Sequence, residues 1–189
     1  MISLEPNLMR HFISILLLAC LTACAAATKP SDPSALSDYL EDTYTADDRI
    51  VIGGQPSADA LEGLKSGGIS TVINFRSGSE VDDLGFDQPA LLSEAGIAYH
   101  RIGIGGDDGA YTPEKLAQFN ALMEAAGSDQ ILLHCRSGYR ASHIYAAWLV
   151  KYRGLSPDEA LERVSSSGWW PMPMEQLLGQ PLSVSVEES

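Results

Sequence analysis

Basic residues are scarce in this 189-residue chain, where 12 Lys and Arg stand against 25 Asp and Glu for a net charge of −13. No basic run occurs anywhere, so the attraction that carries sequence-independent nucleic-acid binding is missing. An anionic substrate must be captured locally. Cysteine is scarce too: three residues at 20, 24 and 135 are too few and too clustered for a disulfide scaffold. The four histidines are scattered without metal-ligand spacing, so no metal and no cofactor is expected. Long apolar runs are absent as well. The longest, residues 12–23, is too short to span a bilayer.

Arg10 and His11 precede that run and small residues close it before Cys24, which describes a bacterial export signal. Leu21-Thr22-Ala23-Cys24 resembles the lipobox of bacterial lipoproteins. The resemblance implies cleavage before Cys24, lipidation of its thiol, and a membrane-anchored protein facing the periplasm. Ala25 in place of an aspartate resembles lipoproteins sorted to the outer membrane. A plain secretory signal cut near Ala25 to Ala27 is the alternative, and Met9 is an alternative start with a more basic opening. With Cys24 lipidated, Cys135 has no intramolecular thiol partner, which excludes a dithiol redox role. The expected organisation is a signal over residues 1–23, a lipidated cysteine and flexible tether over 24–48, a catalytic domain over 49–167 and a tail over 168–189.

From Arg49 onward, β-branched runs alternate with capped helical patterns. Strands are expected at Ile50-Val51-Ile52, Ile69–Phe75, Ile97–Ile104 and Ile131-Leu132-Leu133. Helices are expected after Ser57, over Gln88–Glu94, from Thr112-Pro113 to Ala126, from Arg140 to Gly154 and after Ser156-Pro157-Asp158-Glu159, a capping box. Such alternation predicts an α/β domain with a largely parallel central sheet flanked by helices. Trp169, Trp170, Met172 and Met174 of the tail are assigned to packing.

One loop concentrates chemistry. His134-Cys135 ends the apolar strand, and Arg136-Ser137-Gly138-Tyr139-Arg140 leads into a helix, so the backbone must curl at Gly138. Amides at a helix start form an anion-binding nest, and that field together with Arg136 and Arg140 favours the thiolate, the nucleophilic form of cysteine. The planar fork of Arg140 suits two oxygens of a tetrahedral anion.

This loop resembles the signature loop of cysteine-dependent protein tyrosine and dual-specificity phosphatases. Gly54-Gln55-Pro56-Ser57, the strand Thr71 to Arg76, the helix after the loop and Leu155-Ser156-Pro157-Asp158-Glu159-Ala160 are similar to small bacterial phosphatase-like domains related to the beta-lactamase-hydrolase-like family. The likeness covers residues 49–167. It implies a cysteine-phosphatase-like fold, Cys135 as nucleophile, and an anion cradle of Arg136, Ser137, Gly138, Tyr139 and Arg140. It also implies that His134 orients the loop and that Asp107 or Asp108 protonates the leaving group, mutual repulsion raising the pKa of one of them. A phosphorylated protein or a small phosphoester is the implied substrate. Arg76 is assigned to snorkelling over the sheet, Ser142 to a hydrogen bond with the thiolate, and His143 and Tyr145 to ordinary helix positions.

One departure keeps other chemistries open. Four residues separate Cys135 from Arg140, where the usual phosphatase signature has five, and the shorter cradle also resembles rhodanese-type sulfurtransferases, whose cysteine carries a persulfide. No Asp-Val-Arg strand ending or Gly-His-Ile-Pro-Gly-Ala segment accompanies it. An anion-binding pseudoenzyme is the third reading.

Overall fold

A computed structural model describes residues 32–164 and 171–182, which belong to one compact unit. The signal segment, Cys24, Trp169 and Trp170 lie outside the described residues, as do the side chain of Met172 and the end of the tail. In chain order the elements are α1 (Ala35–Glu41), β1 (Tyr44–Asp47), β2 (Ile50–Gly53), α2 (Ala58–Gly63), β3 (Thr71–Asn74), α3 (Gly78–Asp82) and α4 (Gln88–Glu94). They continue with β4 (Ala98–Arg101), a 3-10 turn at Gly106–Asp108, α5 (Pro113–Ala126), β5 (Ile131–His134), α6 (Tyr139–Arg153), α7 (Pro157–Glu162) and α8 (Pro171–Leu178).

The sheet runs β1-β2-β5-β3-β4, antiparallel only where β1 joins β2, so the expected α/β class with a largely parallel sheet is observed. β5 lies at its centre with all four residues buried, as an unbroken Ile-Leu-Leu run requires. Successive side chains of a strand face opposite ways. Ile131 and Leu133 accordingly join Phe75, Phe119 and Trp148 on the side of α5 and α6, whereas Leu132 packs with Leu61, Leu64 and Leu92 on the side of α2 and α4. Continued past the strand, this alternation sends Cys135 into the first cluster and turns His134 toward α4.

Two expectations need correction. Residues 35–47 are not tether: they form α1 and the edge strand β1, with Ala46 buried against the core and Leu36 and Tyr39 packed against the α2 side. Both elements are short and compositionally polar, so their order comes from the sheet edge and α2 rather than from any period of their own. At the other end α8 packs on α5 and α6 with Met174 and Leu177 buried, so the folded unit extends past residue 167.

Candidate active site

In a parallel sheet the strand C-termini form the ligand edge. Cys135 stands at that edge directly after β5, with 1% of its surface exposed. The turn after β2 shores the cradle from outside: Cys135 N–H donates to the Gly53 carbonyl at 3.4 Å, and Gln55 N–H donates to the Arg136 carbonyl at 3.2 Å. Gly138 then reverses the chain at φ +89, a left-handed conformation that a side chain would strain, and caps α6. The first-turn amides of α6 have no acceptor inside the helix. They are therefore available to an anion beside the thiol. Arg136 and Ser137 are exposed, as is Tyr139.

Two tyrosines missed by the sequence reading feel the charge of Cys135. Tyr39 of α1 donates to the Gly54 carbonyl at 3.0 Å, and burial first and Cys135 second push its hydroxyl far above the usual range. Tyr111 is pushed up to about 12 by the same two causes, and its ring meets His143 edge-on at 6.0 Å.

The fork of Arg140 is held by a carboxylate that local sequence did not reveal. Its Nη1 donates to Glu80 Oε2 at 2.5 Å and to the Ile104 carbonyl at 2.6 Å, and its Nη2 donates to Glu80 Oε1 at 2.8 Å. The hydrogen bond from Arg140 lowers the pKa of Glu80 to about 2, against the opposing effect of burial. Glu80 is fixed in turn because it closes a capping box with Ser77 at the start of α3. The Ser77-x-x-Glu80 spacing was the available signal, hidden in a stretch whose Ser-Gly-Ser content reads as loop.

A one-way chain of donors supports the cradle from the α4 side. Arg76 Nη1 donates to Gln55 Oε1 at 2.8 Å, Gln55 Nε2 to Gln88 Oε1 at 3.2 Å, and Gln88 Nε2 to His134 Nε2 at 2.8 Å. The accepting Nε2 places the ring proton on Nδ1, which lies 3.4 Å from the Cys135 carbonyl. Burial lowers the His134 pKa to about 3, so the imidazole is neutral. Arg76 therefore does not snorkel; its Nη2 also donates to the Glu80 carbonyl at 2.8 Å. Ser142 does not serve the thiolate as expected either, because its hydroxyl bonds the Gly138 carbonyl at 2.9 Å and the Tyr44 hydroxyl at 2.7 Å. Tyr145, also buried, donates to Asp47 Oδ2 at 2.6 Å.

The loop carrying Asp107 and Asp108 does pass over the clamp: a Cβ on Gly105 would lie 3.7 Å from Arg140 Nη1. Its two carboxylates, however, bond α3. Asp107 accepts from Ser79 Oγ at 2.8 Å and Ser79 N–H at 3.3 Å; Asp108 accepts from Gly78 N–H at 2.7 Å and from Arg101 at 2.6 Å. Neither pKa is raised: the repulsion that Asp107 exerts on Asp108 is outweighed. The Ser79 hydroxyl lowers that of Asp107 and the Arg101 guanidinium lowers that of Asp108, the reverse of the expected proton donor. Among the described residues no group of His, Cys, Asp and Glu is placed to hold a metal ion, and no helix is long and apolar enough to cross a membrane.

A family model described as "DSP-PTPase phosphatase fused to NAD+ Kinase" matches residues 30–176. A beta-lactamase hydrolase-like protein of Xylella fastidiosa (strain Temecula1 / ATCC 700964) is 33% identical over 102 residues, 52% of this chain and 23% of that protein. The chain thus spans under a quarter of the length of the curated relatives it matches. Among solved structures, the active form of Tk-PTP is similar with TM-score 0.60 and 20% identity, covering 73% of this chain and 94% of that one. PTPMT1 in complex with PI(5)P gives 0.59 and 23%, over 73% and 93% of the two chains. A DUF442 protein from Shewanella putrefaciens CN-32 gives 0.57 and 21%, over 75% and 93%. At these identities the structures establish a shared fold.

Proposed function

The chain belongs to the phosphatase family of that matching model, and from this membership we propose that it is a cysteine-dependent phosphomonoester phosphatase. Cys135 attacks phosphorus, the first-turn amides of α6 and the Arg140 fork bind the phosphoryl oxygens, and the phosphocysteine is then hydrolysed. The observation that carries the reading is a buried cysteine at the end of the central strand, beside free helix-start amides and under an arginine aimed by Glu80. Holding that fork in advance removes the entropy of ordering it when substrate arrives. A phosphorylated protein or a small phosphoester is the proposed substrate class.

The purified protein should release phosphate from an aryl phosphate and lose that activity in Cys135→Ser. Equal activity in the variant removes the hypothesis. Because four residues separate Cys135 from Arg140, thiosulfate with a cyanide acceptor is the paired assay. Thiocyanate without phosphate release would make the chain a sulfurtransferase acting through a persulfide. Binding of phosphate with turnover of neither substrate would make it an anion-binding pseudoenzyme.

The proposed place of action is the periplasmic face of a bacterial outer membrane, reached through lipid on Cys24. The supporting feature is Leu21-Thr22-Ala23-Cys24 followed by Ala25. Since one acyl chain alone binds marginally, anchoring rests on several chains at that residue. Cys24→Ala should abolish incorporation of labelled palmitate; wild-type protein recovered soluble, with an N-terminus beyond Cys24 and no lipid, overturns the anchor.

A further inference from the structure

The donor chain that ends on His134 can run in one direction only. A guanidinium donates and never accepts, and a backbone carbonyl accepts and never donates. Arg76 Nη1 therefore requires the oxygen of the Gln55 amide, 2.8 Å away, and the Pro56 carbonyl requires its nitrogen, at 3.0 Å. The same nitrogen meets Gln88 at 3.2 Å, so Gln88 must turn its oxygen there and its own nitrogen to His134 Nε2, at 2.8 Å. Gln88 and His134 are fully buried, where a mispaired polar atom is costly, so the direction set at Gln55 is passed on to the ring. Arg76 is fixed in its turn by the Glu80 carbonyl, which its Nη2 reaches at 2.8 Å.

Resting on the phosphatase reading, we propose that Arg76, Gln55 and Gln88 are positioning residues that set the tautomer of His134 through three successive hydrogen bonds, and through that tautomer the first peptide of the cradle. A neutral imidazole whose Nε2 accepts keeps its proton on Nδ1, here 3.4 Å from the Cys135 carbonyl. That carbonyl shares a rigid plane with the Arg136 amide, so holding one aims the other. In the opposite tautomer the lone pairs of Nδ1 and the carbonyl oxygen would face each other, and the peptide would turn away. Gln55 thus steadies two successive carbonyls of the cradle: that of Cys135 through the side-chain relay, and that of Arg136 through its own backbone N–H at 3.2 Å.

The test reverses the relay without touching His134. In Gln55→Glu the carboxylate still accepts from Arg76 but cannot donate to Gln88, so the Gln88 amide turns over and presents oxygen to the ring. Gln55→Leu loses the same side-chain bonds without imposing a reversal, and leaves Gln88 free to go on donating. Nitrogen-15 spectra of the His134 ring in the full chain should show the proton on Nδ1 in wild type and Gln55→Leu, and on Nε2 in Gln55→Glu. For an aryl phosphate, kcat/KM of Gln55→Glu should fall about 10-fold below that of Gln55→Leu, the lower end of the range for partners that orient a functional histidine. If Gln55→Glu does not fold, Gln88→Glu makes the same reversal one bond nearer and should likewise put a proton on Nε2. A proton on Nε2 in wild type, an unchanged tautomer in the glutamate variant, or equal kcat/KM in the two Gln55 variants overturns the inference and leaves the phosphatase reading intact. If wild type releases no phosphate, or Cys135→Ser releases it equally, the phosphatase reading itself fails and takes the positioning role with it.

Discussion

The molecule contains two capping boxes built from one pattern. In α3, Ser77 N–H donates to Glu80 Oε2 at 3.0 Å and Glu80 N–H to Ser77 Oγ at 3.3 Å. In α7, Ser156 N–H donates to Glu159 Oε2 at 2.7 Å and Glu159 N–H to Ser156 Oγ at 3.3 Å. Locally they are interchangeable. Glu159 is exposed and bonds its own helix start, whereas Glu80 also carries both nitrogens of the Arg140 fork, and α3 receives both aspartates of the 106–108 turn. A helix of five residues cannot persist on its own hydrogen bonds, so α3 exists through those tertiary partners. The same four-residue pattern is thus a helix start in one place and part of an anion site in the other, and only neighbours distant in sequence decide which.

The comparison is tested hardest at the arginine. If Glu80 matters because it aims Arg140, then Arg140→Ala should lower kcat/KM for an aryl phosphate by about 10²–10³-fold, the range for removing one oxyanion donor. Arg153→Ala, which breaks the exposed 3.6 Å pair with Glu124 at the far end of α6, should leave kcat/KM unchanged. Steady-state kinetics on both variants would show whether α6 arginines differ by place or only by count. Next in size is Glu80→Gln, which keeps shape but removes the charge. Loss of a supporting partner costs roughly 10- to 100-fold by analogy with residues that orient metal ligands. The fall should appear mainly in KM and in a raised inhibition constant for inorganic phosphate, which a mere loss of stability would not move. Glu159→Gln should change neither.

How much of this was legible follows from the same contrast. The cradle was readable because its residues are contiguous: an apolar strand, Cys135, Gly138 where a positive φ is needed, and Arg140 one turn into a helix all lie within a few positions. β2, β3 and β5 were readable for a similar reason, since β-branched or continuous apolar runs declare themselves locally. Glu80, Gln55, Gln88, Tyr39 and Tyr111 were not, because each reaches the site from another segment and nothing in its own neighbourhood says so. Asp107 and Asp108 were located at the correct strand end but assigned the wrong state, because their partners Ser79, Gly78 and Arg101 come from β4 and α3. Gln88 sharpens the point: it reads as an ordinary helix residue yet is fully buried against His134. Gln88→Leu should leave His134 Nε2 without its donor and lower the unfolding free energy by about 1–3 kcal/mol, measured by denaturant titration.

Acid should also separate the two glutamates. Glu80 has its pKa lowered to about 2, so relative to an unfolded value near 4.5 its contribution to stability is fully present above that value and is lost as pH falls toward 2. Glu159 shifts in the same direction, through the amide and hydroxyl of Ser156, but it is fully exposed and solvent screens it. Thermal melts below pH 4.5 should therefore flatten in Glu80→Gln relative to wild type and remain nearly parallel to it in Glu159→Gln. Parallel curves for both variants would mean that the Arg140 pair contributes no more than an ordinary cap.

The smallest expected effect isolates the shared half of the motif. Replacing an N-cap serine by alanine costs about 1 kcal/mol. Ser156→Ala should accordingly lower Tm by about 3 °C, the usual response for a chain of this size. Its activity should match wild type, because the Ser156 cap bonds Glu159 of its own first turn rather than the Arg140 fork. Ser77→Ala should give a similar loss of Tm, since the local geometry is the same. It should also raise KM by a few-fold, because the Ser77 hydroxyl holds the Glu80 backbone that positions the carboxylate on Arg140. Paired melting curves and kinetics on these two variants measure one quantity that should agree and one that should not. If both variants lose Tm equally and both keep wild-type KM, then α3 is held on Arg140 by its other contacts, the Asp107 and Asp108 bonds first among them, and its capping box is as purely structural as that of α7.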